Sequence, residues 1–204
     1  MLVTTRGYSG TISDVVLRGY TIGDYISPGY ENKRRTTNQM INITTSSSSF
    51  SRPADTTAYT IGDLVANSAT AGSVVPMVFT TSKLGAGRGV IRRARLFKDN
   101  EAVTAASFNL HLFATSPTVT NGDNGALAVD TSRYFLGTVA VDASTGAFVT
   151  TTDLIKAAAA SPEINFDLTA SMQSERRIYG LLEARGAYTP ASGETFEVTL
   201  ELSL

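Results

Sequence analysis

The sequence predicts an all-β protein, an antiparallel jelly-roll or Greek-key β-sandwich preceded by an extended N-terminal arm. Three observations carry this expectation. Apolar and polar residues alternate with a period of two in several short runs. Gly, Asn, Asp and Pro punctuate those runs at short intervals. Thr and Ser together make up close to a quarter of the 204 residues, an excess typical of strands and turns.

The N-terminal fifty residues read differently. They hold Gly7, Gly10, Gly19, Gly23 and Gly29, the basic run Lys33-Arg34-Arg35, and four consecutive serines, Ser46 to Ser49. Their apolar clusters are too short to sustain a helical period. Residues 1–49 are therefore expected to be an arm that orders against a surface, and residues 50–204 to be the sandwich. Tyr8, Tyr20, Tyr25 and Tyr30 distinguish the arm from an ordinary aromatic-poor tail. Tyr20-Thr-Ile-Gly-Asp24 recurs as Tyr59-Thr-Ile-Gly-Asp63, which reads as a Tyr-anchored Gly-Asp turn feeding a strand.

From Phe50 onward about eight strands are expected. Ile61–Asn67 leads through a small-residue turn into Ser73–Phe79, where Pro76 implies an edge or bulged strand. Val90–Lys98 follows the glycine-rich turn Leu84–Gly89. In Ser107–Phe113, Phe108, Leu110 and Leu112 face one way, and Ser107, Asn109, His111 and Phe113 the other. The long connection Ala114–Ser132 is expected to cross between sheets, and Tyr134–Val141 follows it. Thr152–Ala160, with Asp153 near its start and Pro162 after it, is the one helix expected. Ile164, Phe166 and Leu168 alternate. Ile178–Ala184 is almost continuously apolar, and Glu194–Leu204 alternates most clearly. The expected core contains Phe108, Leu110, Leu112, Ile178, Leu182, Phe196, Val198 and Leu200.

Composition narrows the chemistry. There is no cysteine, hence no disulfide, thiolate metal site or thiol nucleophile. A single histidine rules out a multi-histidine metal site within one chain. The net charge of −1 implies no bulk attraction to polyanions. No apolar run is long enough for a membrane span, and no leader-like apolar stretch follows Arg6. A soluble chain with no cofactor, no bound metal and no membrane or nucleic-acid partner is expected.

The motifs point the same way. Gly85-Ala-Gly-Arg-Gly89 lacks the Lys-Ser/Thr of a phosphate loop and precedes a strand, so it reads as a hairpin turn. Asn121-Gly-Asp-Asn-Gly125 reads as a chain of Asx turns, since an EF-hand loop would need an acid where Ser132 stands. Arg88, Arg92, Arg93, Arg95 and Lys98 form a basic stripe, with Arg93 and Arg95 on one face and Arg92 on the other. Such a stripe suits the carboxylates of a partner protein, a solvated face or a nucleic acid. His111 reads as an ordinary exposed histidine. Glu163, Asp167, Glu175, Glu183, Glu194, Glu197 and Glu201 form no acid/base pair legible from spacing, and no nucleophile elbow is present. The chain is expected not to be an enzyme.

Four blocks carry a resemblance: AYTIGDLVANSATAGSVVPMVF at residues 58–79, GAGRGVIRRARLFKD at 85–99, ASFNLHLFATSPTVTNGDNGAL at 106–127 and RYFLGTVAV at 133–141. In this order they resemble small virion proteins of tailed bacteriophages, similar to jelly-roll capsid cement, or decoration, proteins. The resemblance implies a structural protein on the capsid exterior, made in the host cytoplasm, that binds the major capsid protein and clamps neighbouring copies. It also implies a homo-oligomer, a trimer or alternatively a dimer. Tyr8, Tyr20, Tyr25, Tyr30, Lys33, Arg34 and Arg35 are the expected capsid contacts, joined by Arg93 and Arg95. The alternative is a head-fibre or tail-tip domain that binds a host receptor or glycan, with Tyr188 as an outward aromatic platform.

Overall fold

The computed structural model describes residues 43–81, 87–130, 134–168 and 176–203. Ten strands are formed: β1 (Ile43–Ser51), β2 (Leu64–Val65), β3 (Met77–Thr80), β4 (Arg88–Lys98), β5 (Ser107–Phe113), β6 (Phe135–Asp142), β7 (Phe148–Val149), β8 (Leu154–Asp167), β9 (Arg177–Ala184) and β10 (Thr195–Ser203). Among the described residues there is no α-helix. The strands form two antiparallel sheets. The front sheet runs β1-β10-β4-β8-β7; the back sheet runs β2-β9-β5-β6, with β3 beside β2 on the same edge of β9.

The pairing is nested. β1 pairs with β10, β3 with β9, β4 with β8 and β5 with β6, as in one long hairpin folded at the β5–β6 tip. The pairs β4–β10 and β5–β9 then stitch that hairpin into two sheets.

The inner faces share one core. All eight expected core residues are buried in it. Pro76 acts as expected: β3 begins directly after it and, among the described residues, pairs only with β9. The Tyr59–Asp63 turn also forms as expected. The Thr60 amide and hydroxyl donate to Asp63 Oδ2 at 2.5 and 2.9 Å, Gly62 takes φ +96°, and β2 follows. Its echo at Tyr20 lies outside the described residues.

Three expectations are corrected. The helix over 152–160 is instead the first half of β8. Its alanines favour a helix locally, but pairing with β4 overrides that preference, setting Ala157 opposite Arg95 and Ala159 opposite Arg93. The Ala114–Ser132 connection does not cross between sheets, because β5 and β6 are antiparallel neighbours in the back sheet. The sandwich begins before residue 50: Ile43 to Ser49 belong to β1, paired with β10 in continuous register. This serine-rich stretch shows no apolar alternation because it is an edge strand with no fully buried side chain.

Candidate functional site

The polar residues fall into three settings, and the first is buried. Arg52 and Asp123 pair at 2.9 Å with side chains 0% and 1% exposed. Tyr59 donates its hydroxyl to Asp123 at 2.7 Å, the Ala66 amide donates to the same oxygen at 2.7 Å, and the Arg52 Nε donates to the Tyr59 hydroxyl. A second set mirrors this one. Lys98 lies 3.2 Å from Glu194, both side chains fully buried, and the Tyr188 hydroxyl donates to Glu194. Lys98 also donates to the Asn100 carbonyl at 2.6 Å. The two tyrosine rings stack at 6.4 Å, linking the sets. Burial, reinforced by the adjacent carboxylates, pushes both tyrosine hydroxyls well above the usual phenol range, so they remain donors. Burial lowers Lys98. Each cation, phenol and carboxylate satisfies the others, which makes this an anchor for the fold rather than a site open to a ligand.

Several sequence expectations are corrected here. Tyr188 is fully buried and offers no outward platform. Lys98 leaves the basic stripe for the core. Asp123 does more than make Asx turns: its carboxylate is a buried counter-ion. Gly122 is required beside it, since a Cβ there would lie 2.2 Å from the Ala69 carbonyl oxygen.

The second setting is the outer face of the back sheet. His111 Nε2 and Glu183 lie 2.8 Å apart, His111 Nδ1 meets the Thr138 hydroxyl at 2.8 Å, and Asn109 donates to Glu183 at 3.1 Å. The histidine is therefore half-buried and paired across strands, not simply exposed. Burial alone would raise the Glu183 carboxyl, but the His111 and Asn109 hydrogen bonds and the Arg185 charge hold it below its usual value. The β9 side of this face is covered, while Phe135, Ala140 and Asp142 of β6 stay exposed. Val119, Leu127 and Val129 of the long β5–β6 connection pack with Leu64, Phe113, Tyr179 and Leu181 in a second apolar cluster.

The third setting is the outer face of the front sheet. Register places its side chains in rows: Thr45, Glu201, Arg93 and Ala159 in one, Ser47, Thr199, Arg95 and Ala157 in the next. Ser49, Glu197, Phe97, Ile155 and Phe148 form a third. Arg93 donates to Glu201 through Nε at 3.1 Å. Arg88 pairs with Asp167 at 2.8 Å and Arg92, at a bulge in β4, with Glu163 at 2.7 Å. Arg95 has no ion-pair partner among the described residues and stands between the short side chains of Thr199 and Ala157. Thr45, Arg93, Arg95, Ala157, Thr199 and Glu201 line a shallow cleft of about 140 Å³.

Of the expected contact residues, Arg93 and Arg95 come together on this face, while Tyr8, Tyr20, Tyr25, Tyr30, Lys33, Arg34 and Arg35 lie outside the described residues. Gly85 and Ala86 of the Gly85–Gly89 motif do too. Sequence reasoning missed the small-residue rows flanking Arg95, because the unbroken run Ala157 to Ala160 shows no alternation to mark its outward face. Among the described residues, no three His, Asp or Glu side chains cluster to hold a metal ion. Comparisons with protein-family models, with curated proteins and with solved structures find no match to this chain.

Proposed function

We propose that this chain is a structural virion protein of a tailed bacteriophage, a capsid decoration protein bound to the outside of the head. The observation that carries the reading is the outer face of the front sheet, which no described segment covers and where Arg95 has no ion-pair partner among the described residues. A guanidinium so placed can accept a carboxylate from a partner surface in a two-pronged contact. The nested strand pairing supports the fold half of the proposal, because rolling a long hairpin into two sheets is the construction of a jelly roll. That architecture recurs in viral shells and in lectins, so it does not by itself select a function. The four resembling sequence blocks favour the virion. The lectin-like alternative loses its aromatic platform with the burial of Tyr188.

The partner is then the major capsid protein, and the N-terminal tyrosines and Lys33-Arg34-Arg35 would add contact area. The test is binding of purified protein to empty phage heads, with location read by electron cryo-microscopy. Regular copies over the head are the expected result; a few copies at the tail, or none, overturn the proposal. Deletion of residues 1–42, which leaves β1 intact, should weaken binding strongly. Arg95→Glu should weaken it chiefly at low salt, because exposed charges are screened.

A further inference from the structure

A strand at a sheet edge presents a row of unpaired N–H and C=O groups. Proteins usually blunt such an edge with charge, proline, bulges or shortness. Three edges here are treated in that way. β7 is two residues long, and β8 beyond it loops out residues 160–163, including Pro162, opposite Arg92. On the back sheet, one edge is divided between short β2 and β3, and the Val78 amide of β3 donates to the Ser48 hydroxyl at 3.0 Å. The other, β6, is interrupted by a bulge opposite Leu112 and Phe113 and packs against β8.

The edge strand β1 lacks charge, proline, bulge and shortness, and among the described residues its one tie to the back sheet is the Ser48 hydroxyl that accepts the Val78 amide. It runs nine residues in unbroken register with β10, without charge, proline, glycine or bulge. Among the described residues no strand pairs with its other side. Ile43, Thr45, Ser47, Ser49 and Ser51 are exposed along it. The C-terminal strand β10, by contrast, is paired on both sides within the chain.

We infer that β1 docks against β1 of a second copy of this chain, antiparallel about a two-fold axis near Ser47, joining two front sheets into one. The edge is self-complementary. Pairing about Ser47 sets Thr45 opposite Ser49 and Ile43 opposite Ser51, so no like charges meet. The hydroxyl chemistry already operates on the occupied side, where Ser47 meets Thr199 at 2.8 Å and Ser51 meets Thr195 at 3.0 Å. An isologous contact also closes after two copies, and the blunted remaining edges give no route to a growing filament. The inference does not rest on the virion reading and is tested on the purified chain alone.

The full chain is expected to sediment at twice its 21.6 kDa mass. Because the chain contains no cysteine, single cysteines report cleanly. Thr45→Cys, Ser47→Cys and Ser49→Cys should each give a disulfide-linked dimer under mild oxidation, with Ser47→Cys the most efficient. Ala159→Cys, exposed on the same sheet away from the edge, should not. The double variant T45K/S49K sets two lysine pairs against each other and should raise the dimer dissociation constant about tenfold or more without lowering the β-sheet circular dichroism signal. A monomer at every attainable concentration, a trimer, or a dimer whose edge cysteines cross-link no better than Ala159→Cys overturns the inference. So does a folded T45K/S49K variant that dimerises as the parent does.

Discussion

The β9 side of the back sheet's outer face is covered by the chain's own β5–β6 connection, whereas no described segment covers the outer face of the front sheet. In the back sheet, β9 is apolar on both sides: Ile178 and Leu182 point into the main core, while Tyr179 and Leu181 point into the second cluster. The β5–β6 connection crosses this face and is tied to the β2 region by backbone bonds, Leu64 to Gly125 at 2.8 Å and Leu127 to Gly62 at 2.8 Å. In the front sheet, Arg93, Arg95, Ala157, Ala159 and Thr45 face outward and no segment among the described residues covers them. The difference teaches that a continuously apolar run marks a strand buried on both faces, and an alternating run a strand with one polar outer face.

The comparison is broken most severely at its buried tie. Asp123→Ala removes the counter-ion of Arg52 and should cost about 3–5 kcal/mol, because it strands a buried guanidinium. Urea denaturation measures this; a loss under 1 kcal/mol, small for breaking a buried pair, would show that the covering connection does not depend on the pair. Leu110→Ala in the shared core should cost about 2–5 kcal/mol. Leu181→Ala, in the smaller outer cluster, should fall at the lower end of that range, about 2 kcal/mol. A neutral result at Leu181 would mean that the connection covers the sheet without stabilising it.

A pH series sharpens the same contrast. Glu183, on the covered sheet, has its folded pKa held below its ordinary value of 4.5. Its contribution to stability is thus present above that ordinary value and is lost as pH falls through the lower folded one. The melting temperature should drop on acidification, and Glu183→Gln should flatten that part of the profile. An unchanged acid slope in the variant would remove Glu183 as a contributor. On the open sheet the effects should be smallest. Arg93→Ala breaks an exposed ion pair and should change stability by only about 0–1 kcal/mol. A larger loss would mean that the open face is structural rather than available to a partner.

Much of the fold was legible. The period-two runs placed β5 and β10, and the continuous apolar run placed β9, within a residue or so, because each buried face forces apolar residues onto its side of the strand. Pro76 and the Tyr59–Asp63 turn were legible because their effects are local to φ and to short-range hydrogen bonds. β1 was not, since a serine-rich edge strand carries no apolar alternation. The alanines of β8 were misread because alanine preference for a helix is worth only fractions of a kcal/mol per residue and yields to pairing with a neighbouring strand.

The candidate site divides in the same way. The sequence by itself determined the all-β class, the inner core and the placing of Arg93 and Arg95 on one face, since each follows from the pitch of a strand. Only the tertiary structure decided which charges are buried and which face is open. Lys98 and Arg95 belong to the same basic run, yet one is fully buried beside Glu194 and the other is exposed with no ion-pair partner among the described residues. Arg52 meets Asp123 across 71 residues, and Lys98 meets Tyr188 across 90. A charge can leave water only where a counter-charge and hydrogen bonds await it. Partners that distant are brought together by the nesting of the strands, which no local pattern of residues contains.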